Sequence, residues 1–282
     1  MKTVNSLSGG KTSSYIAKHY PADYNIFALV RTNDKKCIYP DAKIRQIVSD
    51  KIGVEFIGTL EMDEIILTMI ELEQFIGSKI NWLTGDSFDD VIKNHSGKNG
   101  VYLPNKMQRF CTTDMKLKPI MEFWNNEINE IVDMRIGFRA NEMSRAKTMI
   151  EKLNENGYHE DKFIVGKSKN GNNKWKLKEW RIPTFPLIKD AIFKDTIEEY
   201  WKDKPVEFAY MNNCVGCFHR NPVLLKHLST KEENKFNWFM NQETEKARFK
   251  TETSYKNIKA TKLQFQLFDD DFNECDSGFC GL

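Results

Sequence analysis

Nowhere in this chain do about eighteen apolar residues run together, the length a membrane-crossing helix needs. It also lacks a positively charged leader followed by an apolar stretch, so the sequence predicts a soluble, cytoplasmic protein with no membrane partner. Charge of one sign is equally short: 42 basic residues face 40 acidic ones, so global charge neither requires nor excludes a nucleic-acid partner, and only local patches bear on that question. Cysteine is scarce, six among 282 residues, too few for a disulfide-built scaffold. Repeats and low-complexity tracts are absent. The length suffices for a substantial core, and the patterns below favour an α/β core over residues 1–205 with a cysteine-bearing extension over 206–282.

What is present begins at Ser6-Leu7-Ser8-Gly9-Gly10-Lys11-Thr12-Ser13-Ser14, behind the short apolar start Thr3-Val4-Asn5. It reads as a strand, a glycine turn and a helix start. Two glycines let the backbone approach an anion closely, hydroxyls add donors, and the N–H groups of a new helix point at the same spot. The spacing excludes a Walker loop, which needs four residues between its first glycine and the Gly-Lys-Ser/Thr end. Ser8, Gly9, Gly10, Lys11, Thr12 and Ser13 are therefore the candidate phosphate-binding residues.

The run 24–30 reads as a buried parallel strand with Arg31-Thr32-Asn33-Asp34 at its ligand-facing end, 41–52 as a helix, Val54-Glu55-Phe56-Ile57 as a third strand and 64–76 as a scaffold helix. Strand alternating with helix is the signature of an α/β sheet. Residues 82–100 turn polar and read as a loop or surface insertion, with His95 a low-grade candidate. In 109–119, Cys111 is followed by hydroxyl residues and Asp114, which suits a helix N-terminus where thiolates and anions are stabilised; a small buried hydrophobe is the competing reading. A fourth strand over 131–136 leads into Gly137-Phe138-Arg139-Ala140-Asn141-Glu142-Met143-Ser144-Arg145. This arrangement has a glycine where the backbone must turn close to a ligand and two guanidiniums suited to phosphate or sulfate, with Glu142 orienting one of them.

Between 163 and 181 the chain reads as a hairpin around Asn170-Gly171. It carries Lys167, Lys169, Lys174, Lys176, Lys178 and Arg181 with Trp175 and Trp180, a pattern that suits a nucleic-acid acceptor or an edge strand guarded by lysines. A helix follows from 194 to 201, and another with Phe236, Trp238, Phe239 and Met240 packs the extension on the core. Four of the six cysteines form two close pairs. Cys214-Val215-Gly216-Cys217 has the spacing that grips a metal or part of a cluster, and Cys275 and Cys280 supply two more thiols. Taken alone, two such knuckles read as structural zinc; His219 is an alternative ligand that more simply packs locally.

These elements, in this order over residues 3–223, resemble the phosphoadenylyl-sulfate (PAPS) reductase-like family of the N-type ATP pyrophosphatase, or PP-loop, superfamily, and the DNA phosphorothioation sulfurtransferases. The matching elements are S-G-G-x-x-S at Ser8, with Thr12 where the family has aspartate, the Arg109-Phe110-Cys111-Thr112 element, G-x-R-x-x-E-x-x-R from Gly137, the 181–190 element with Lys189-Asp190 in place of its tryptophan, and the C-x-x-C. The resemblance implies a doubly wound, mostly parallel sheet and ATP with Mg2+ (or PAPS or APS) as nucleotide, held by the loop with Gly137 and Arg139. It implies Lys11, Arg139 and Arg145 as catalytic groups and a 4Fe–4S cluster held by Cys111, Cys214, Cys217 and Cys275 or Cys280, with zinc as the alternative. The reaction expected is adenylation of an acceptor with pyrophosphate release, for sulfur transfer to a nucleic acid or small molecule. The alternatives are a PAPS/APS reductase attacking through a tail cysteine such as Cys280, whose family signature is incomplete here, and a non-catalytic adenine-nucleotide-binding module. A homodimer is left open.

Overall fold

Short segments rich in β-branched and aromatic residues become the strands β1 (Lys2–Leu7), β2 (Tyr24–Leu29), β3 (Ile80–Thr84), β4 (Val132–Arg135), β5 (His159–Lys167) and β6 (Asn173–Thr184) in the computed structural model, which describes residues 1–98, 100–168 and 170–262. They form one sheet in the order β3-β2-β1-β4-β6-β5. β1 runs parallel to both β2 and β4, β4 runs parallel to β6, and β5 closes the edge antiparallel to β6. The result is an α/β protein with a mostly parallel six-stranded sheet, compatible with a doubly wound fold. The chain moves from β1 outward through β2 and β3, then returns to lay β4 on the other side of β1. Its topological switch lies between β1 and β4, where open α/β sheets bind ligands beyond the carboxyl ends of the strands.

The helices are α1 (Lys11–His19), α2 (Ala42–Ile52), α3 (Glu64–Ile76), α4 (Phe88–His95), α5 (Phe110–Thr112), α6 (Lys118–Phe123), α7 (Met143–Ile150), α8 (Pro186–Lys189), α9 (Lys194–Trp201), α10 (Pro222–Lys231), α11 (Glu233–Gln242) and α12 (Tyr255–Ala260). Two π-helical turns, Thr113–Leu117 and Trp124–Ile128, flank α6. Several starts are written in the sequence as caps: Asp41 accepts from the amides of Lys43 and Ile44, Ser87 from Asp90, and Asn221 from Leu224.

One expected strand is not formed. Residues 54–57 follow Gly53, which ends α2 with a φ of 71°, and they stay irregular: Ile57 accepts from the Tyr39 amide at 2.9 Å, the Phe56 amide donates to the Ser49 hydroxyl at 2.9 Å, and the next residue, Gly58, bridges Thr32. The third strand is instead 80–84, where Ile80 and Trp82 are buried alternately, and the polar stretch after it contains α4.

The chain divides into two compact units. The first comprises Met1–Phe27, Thr68–Leu83 and Ile120–Phe208, and the second Ala28–Leu67, Thr84–Pro119 and the described chain from Ala209 onward. In the first, Val4, Ile16, Phe27, Val132, Leu187 and Trp201 are buried. In the second, one apolar cluster joins Val30, Leu60, Phe88, Met115, Leu225, Phe236, Phe239 and Tyr255. Among the described residues no helix is long and apolar enough to cross a membrane.

Candidate functional site

Within the first unit, β1 delivers Ser8 to the switch point. Gly9 then turns with a φ of 75°, a conformation side-chain-bearing residues avoid, and Gly10 enters α1 in an extended conformation. No side chain caps α1 and no acidic residue lies in its first turn, so its opening amides and its dipole face outward without a built-in negative partner. Ser13 also has a part inside the loop. Its hydroxyl accepts from the Ser8 amide at 3.1 Å, donates to the Gly10 carbonyl at 3.1 Å and lies 3.2 Å from the Ser8 hydroxyl, which fixes the loop's shape.

Gly137, just beyond β4, meets this loop. A Cβ placed on it would lie 3.4 Å from Thr12 Cγ2 and 3.7 Å from the Ser13 amide nitrogen. Thr12 therefore packs against the second loop, and Gly137 puts no side chain between that loop and the Ser13 amide. Past it, Glu142 gathers both guanidiniums. Its Oε2 accepts from the Arg139 amide at 2.8 Å and from Arg139 Nε at 3.1 Å, and Oε1 pairs with Arg145 Nη1. The Arg145 guanidinium also lies over the Phe138 ring at 4.2 Å, and Phe138 stacks on Phe185. One carboxylate thus orients two arginines rather than one.

Lys11 forms an ion pair with Glu198 of α9, and its carbonyl accepts from Trp201 Nε1 at 3.0 Å. Neither partner was foreseeable from the sequence, being almost two hundred residues away with no local pattern.

In the second unit, Cys111, Cys214 and Cys217 line one cavity of about 30 Å³ together with Val30, Phe88, Met115, Lys116, Phe218, Phe239 and Phe249. The C-x-x-C segment is held through its backbone. Buried Arg220 donates from Nε to the Cys214 carbonyl at 3.2 Å and from Nη2 to the carbonyls of Asn212 and Asn213. Lys250 Nζ donates to the carbonyls of Phe218 and Arg220 at 2.8 and 3.0 Å, and Tyr255 donates to that of Gly216 at 2.9 Å. These buried cations and the phenol take up carbonyls of the turn and of the residues around it, so positive charge stands behind the backbone that carries Cys214 and Cys217. Lys116, on the cavity wall, pairs with Glu61 at 3.0 Å. Arg109 adds a further cation; its Nε and Nη2 are buried without a hydrogen-bond partner. An anionic group at the thiols would meet favourable charge. Burial, with Arg109, Lys106 and Lys250, holds His219 down to about 4, so its ring is neutral and packs against Phe218.

No disulfide joins the described cysteines, and among the described residues no three His, Cys, Asp or Glu side chains are grouped closely enough to hold one metal ion. Cys275, Cys280 and Lys169 lie outside the described residues. His95 is engaged by Asp114, 2.7 Å away, and stacks on Phe110 at 3.9 Å, so it braces the segment that carries Cys111. Lys189 ends α8, and Asp190 accepts from the Tyr20 hydroxyl. Arg220 and Lys250 were missed by sequence reasoning. Arg220, three residues after Cys217, had a positional hint, whereas Lys250 and Tyr255 had none.

Compared with protein-family models, with curated proteins and with solved structures, the chain finds no match in any of the three.

Proposed function

We propose that this chain is an ATP-binding enzyme of the PP-loop type that adenylates an acceptor with release of pyrophosphate, and that its thiol-lined cavity holds a metal centre used in sulfur chemistry. The observation that carries the nucleotide half is the uncapped start of α1 at the β1/β4 switch point, with Gly9 turning at a φ of 75° and Gly137 coming close to the Ser13 amide without a side chain between them. These features suit a polyphosphate, and the Arg139–Glu142–Arg145 group suits the charge that develops as pyrophosphate departs. Lys11 would exchange Glu198 for a phosphate oxygen. The acceptor oxygen forms its bond to the α-phosphorus as the bridge to the β-phosphate breaks.

Three thiols lining one largely apolar cavity, with Lys116 on its wall and Arg220 and Lys250 bonded to backbone carbonyls in and after the C-x-x-C turn, support a 4Fe–4S cluster, with zinc as the alternative. Such a cluster would supply a site for binding or reducing sulfur, and Cys111, Cys214 and Cys217 would be its ligands from the described chain.

The test is calorimetric titration with ATP, followed by a pyrophosphate-release assay and by iron, sulfide and zinc analysis of protein purified without oxygen. Saturable binding, acceptor-dependent pyrophosphate and iron with equimolar sulfide are expected. No binding at millimolar ATP would overturn the nucleotide reading. ATP retained intact after long incubation with candidate acceptors would reduce the protein to a binding module. One zinc without sulfide would remove the cluster.

A further inference from the structure

The β5–β6 hairpin is not used by either site above, and it is the most lopsided part of the chain in charge. Residues 162–178 contain six lysines and no aspartate or glutamate, against a surplus of only two positive charges for the whole protein. Its base is anchored: Phe163 and Trp180 are buried with Trp124, ring centroids 4.9 to 6.1 Å apart, and Trp180 Nε1 donates to Asp161 at 2.9 Å. Lys178 lies over Trp124 and donates to Asn125 at 2.7 Å. Beyond this anchor both faces of the ribbon are exposed.

The register sorts the two faces. Ile164 pairs with Trp175, Lys162 with Leu177 and Lys167 with Asn173, so these six share one face. Trp175 is 57% exposed and Leu177 54%, a large aromatic and a leucine side by side in water with a lysine at each end. Lys174 and Lys176 occupy the opposite face. A bulge at Val165 interrupts the edge strand β5, and like-charged ribbons repel, so a second copy of this chain is a poor occupant.

We infer that this hairpin docks single-stranded nucleic acid on its Trp175 face, with an unstacked base on Trp175 and the phosphate backbone reaching Lys162 and Lys167 at the two ends of that face. The lysines match a polyanion, and the exposed indole suits the flat face of a base. In a duplex, bases are stacked on one another and cannot be offered to Trp175. The docking surface stands on the hairpin alone; its service as the platform for the acceptor rests on the adenylation reading.

The experiment is fluorescence anisotropy of the full chain, without nucleotide, with labelled 20-mer oligo-dT and oligo-rU, a 20-bp duplex and polyglutamate as competitor. The single strands should bind more tightly than the duplex, with a log–log salt slope of about −1.4 if Lys162 and Lys167 meet phosphates. W175A should weaken binding by roughly 5- to 150-fold with the salt slope unchanged. K162Q/K167Q should abolish most of the slope, whereas K174Q/K176Q, which removes the same charge from the opposite face, and K43Q/K256Q, which removes it elsewhere on the surface, should leave it unchanged. The inference is overturned if the duplex binds as well as the single strands, if W175A binds like wild type, or if polyglutamate competes as effectively as unlabelled oligo-dT, which would point to an acidic protein. Circular dichroism checks that each variant is folded. ATP titration of the same variants separates the two readings: ATP binding without oligonucleotide binding defeats only the hairpin, and the converse defeats only the nucleotide site.

Discussion

Gly216→Ala tests whether the cysteine turn and the aromatic core behind it are one packed object. A Cβ at Gly216 would lie 2.2 Å from Cγ, 2.4 Å from Cδ2 and 2.8 Å from Cβ of Phe239. Carbon atoms prefer separations of about 3.5–4.0 Å, so the ring would have to retreat by more than about 1 Å. It has little room, being 1% exposed and packed against Phe88, Trp238 and Phe249 with centroids 4.9 to 5.5 Å away. Overpacking of this kind costs about 1–3 kcal/mol, and contact with the Phe239 Cβ, which is tied to the backbone, places the cost near the upper end. Phe239→Leu, which shortens the obstacle, should alone cost roughly 1–2 kcal/mol through the cavity it leaves. In the double variant the two changes relieve each other, so the combined loss should fall short of the sum by about 1 kcal/mol or more. Urea unfolding without oxygen, read as the shift in midpoint at constant slope, measures all four corners of the cycle. Additivity within about 0.5 kcal/mol, or a Gly216→Ala midpoint equal to wild type, would refute the reasoning.

Gly137→Ala should leave the midpoint within about 1 kcal/mol, because its methyl meets only ordinary contacts, yet weaken ATP binding about tenfold or more by standing over the Ser13 amide; calorimetry and urea unfolding on one preparation check both halves. Glu198→Gln releases Lys11 from a partly exposed ion pair worth about 0.2–1 kcal/mol, so ATP should bind up to about fivefold tighter, seen as a lower Kd by titration. Arg181 is buried, with Met134 Sδ as a soft partner and Nε unpartnered, so Arg181→Met should be neutral or stabilising by about 1–4 kcal/mol at pH 8. Burial, opposed by Asp161, holds the Arg181 pKa down to about 10 against an ordinary 12.5, so the penalty is fully present below pH 10 and relieved as pH rises above it. The variant's advantage should therefore shrink between pH 8 and pH 11 in unfolding midpoints, and an advantage that grows would contradict the assignment.

Several elements of the first unit were legible because their signals are local: a continuous apolar run at 24–29, Asn-Gly between two strand-like runs, and helical spacing over 194–201. The segment 54–57 misled because Val-Glu-Phe-Ile has strand composition, while the choice of which segment fills a sheet position is made by tertiary pairing, here by 80–84. Ser8, Gly9 and Gly10 could be read as an anion loop from residue type alone. That Ser13 staples the loop, that Thr12 packs on Gly137 and that Lys11 pairs with Glu198 are facts of three-dimensional proximity, which no spacing encodes. The C-x-x-C spacing was visible for the same local reason, whereas its cationic surround comes from Arg109, Lys116 and Lys250, scattered over more than a hundred residues.

Each compact unit is assembled from three separate stretches of chain, and this bears on synthesis. Cys111 leaves the ribosome about a hundred residues before Cys214, an interval of roughly 5–20 s at ordinary elongation rates, and Lys250 and Tyr255 come later still. During that interval the thiol lacks Cys214, Cys217 and the apolar residues Phe218, Phe239 and Phe249 that complete the cavity. A metal centre that needed all three thiols could therefore load only after Cys217 had emerged. The lining runs from Val30 to Phe249, so expression trials that cut the chain at the ends of α9 or α6 would separate residues that must meet.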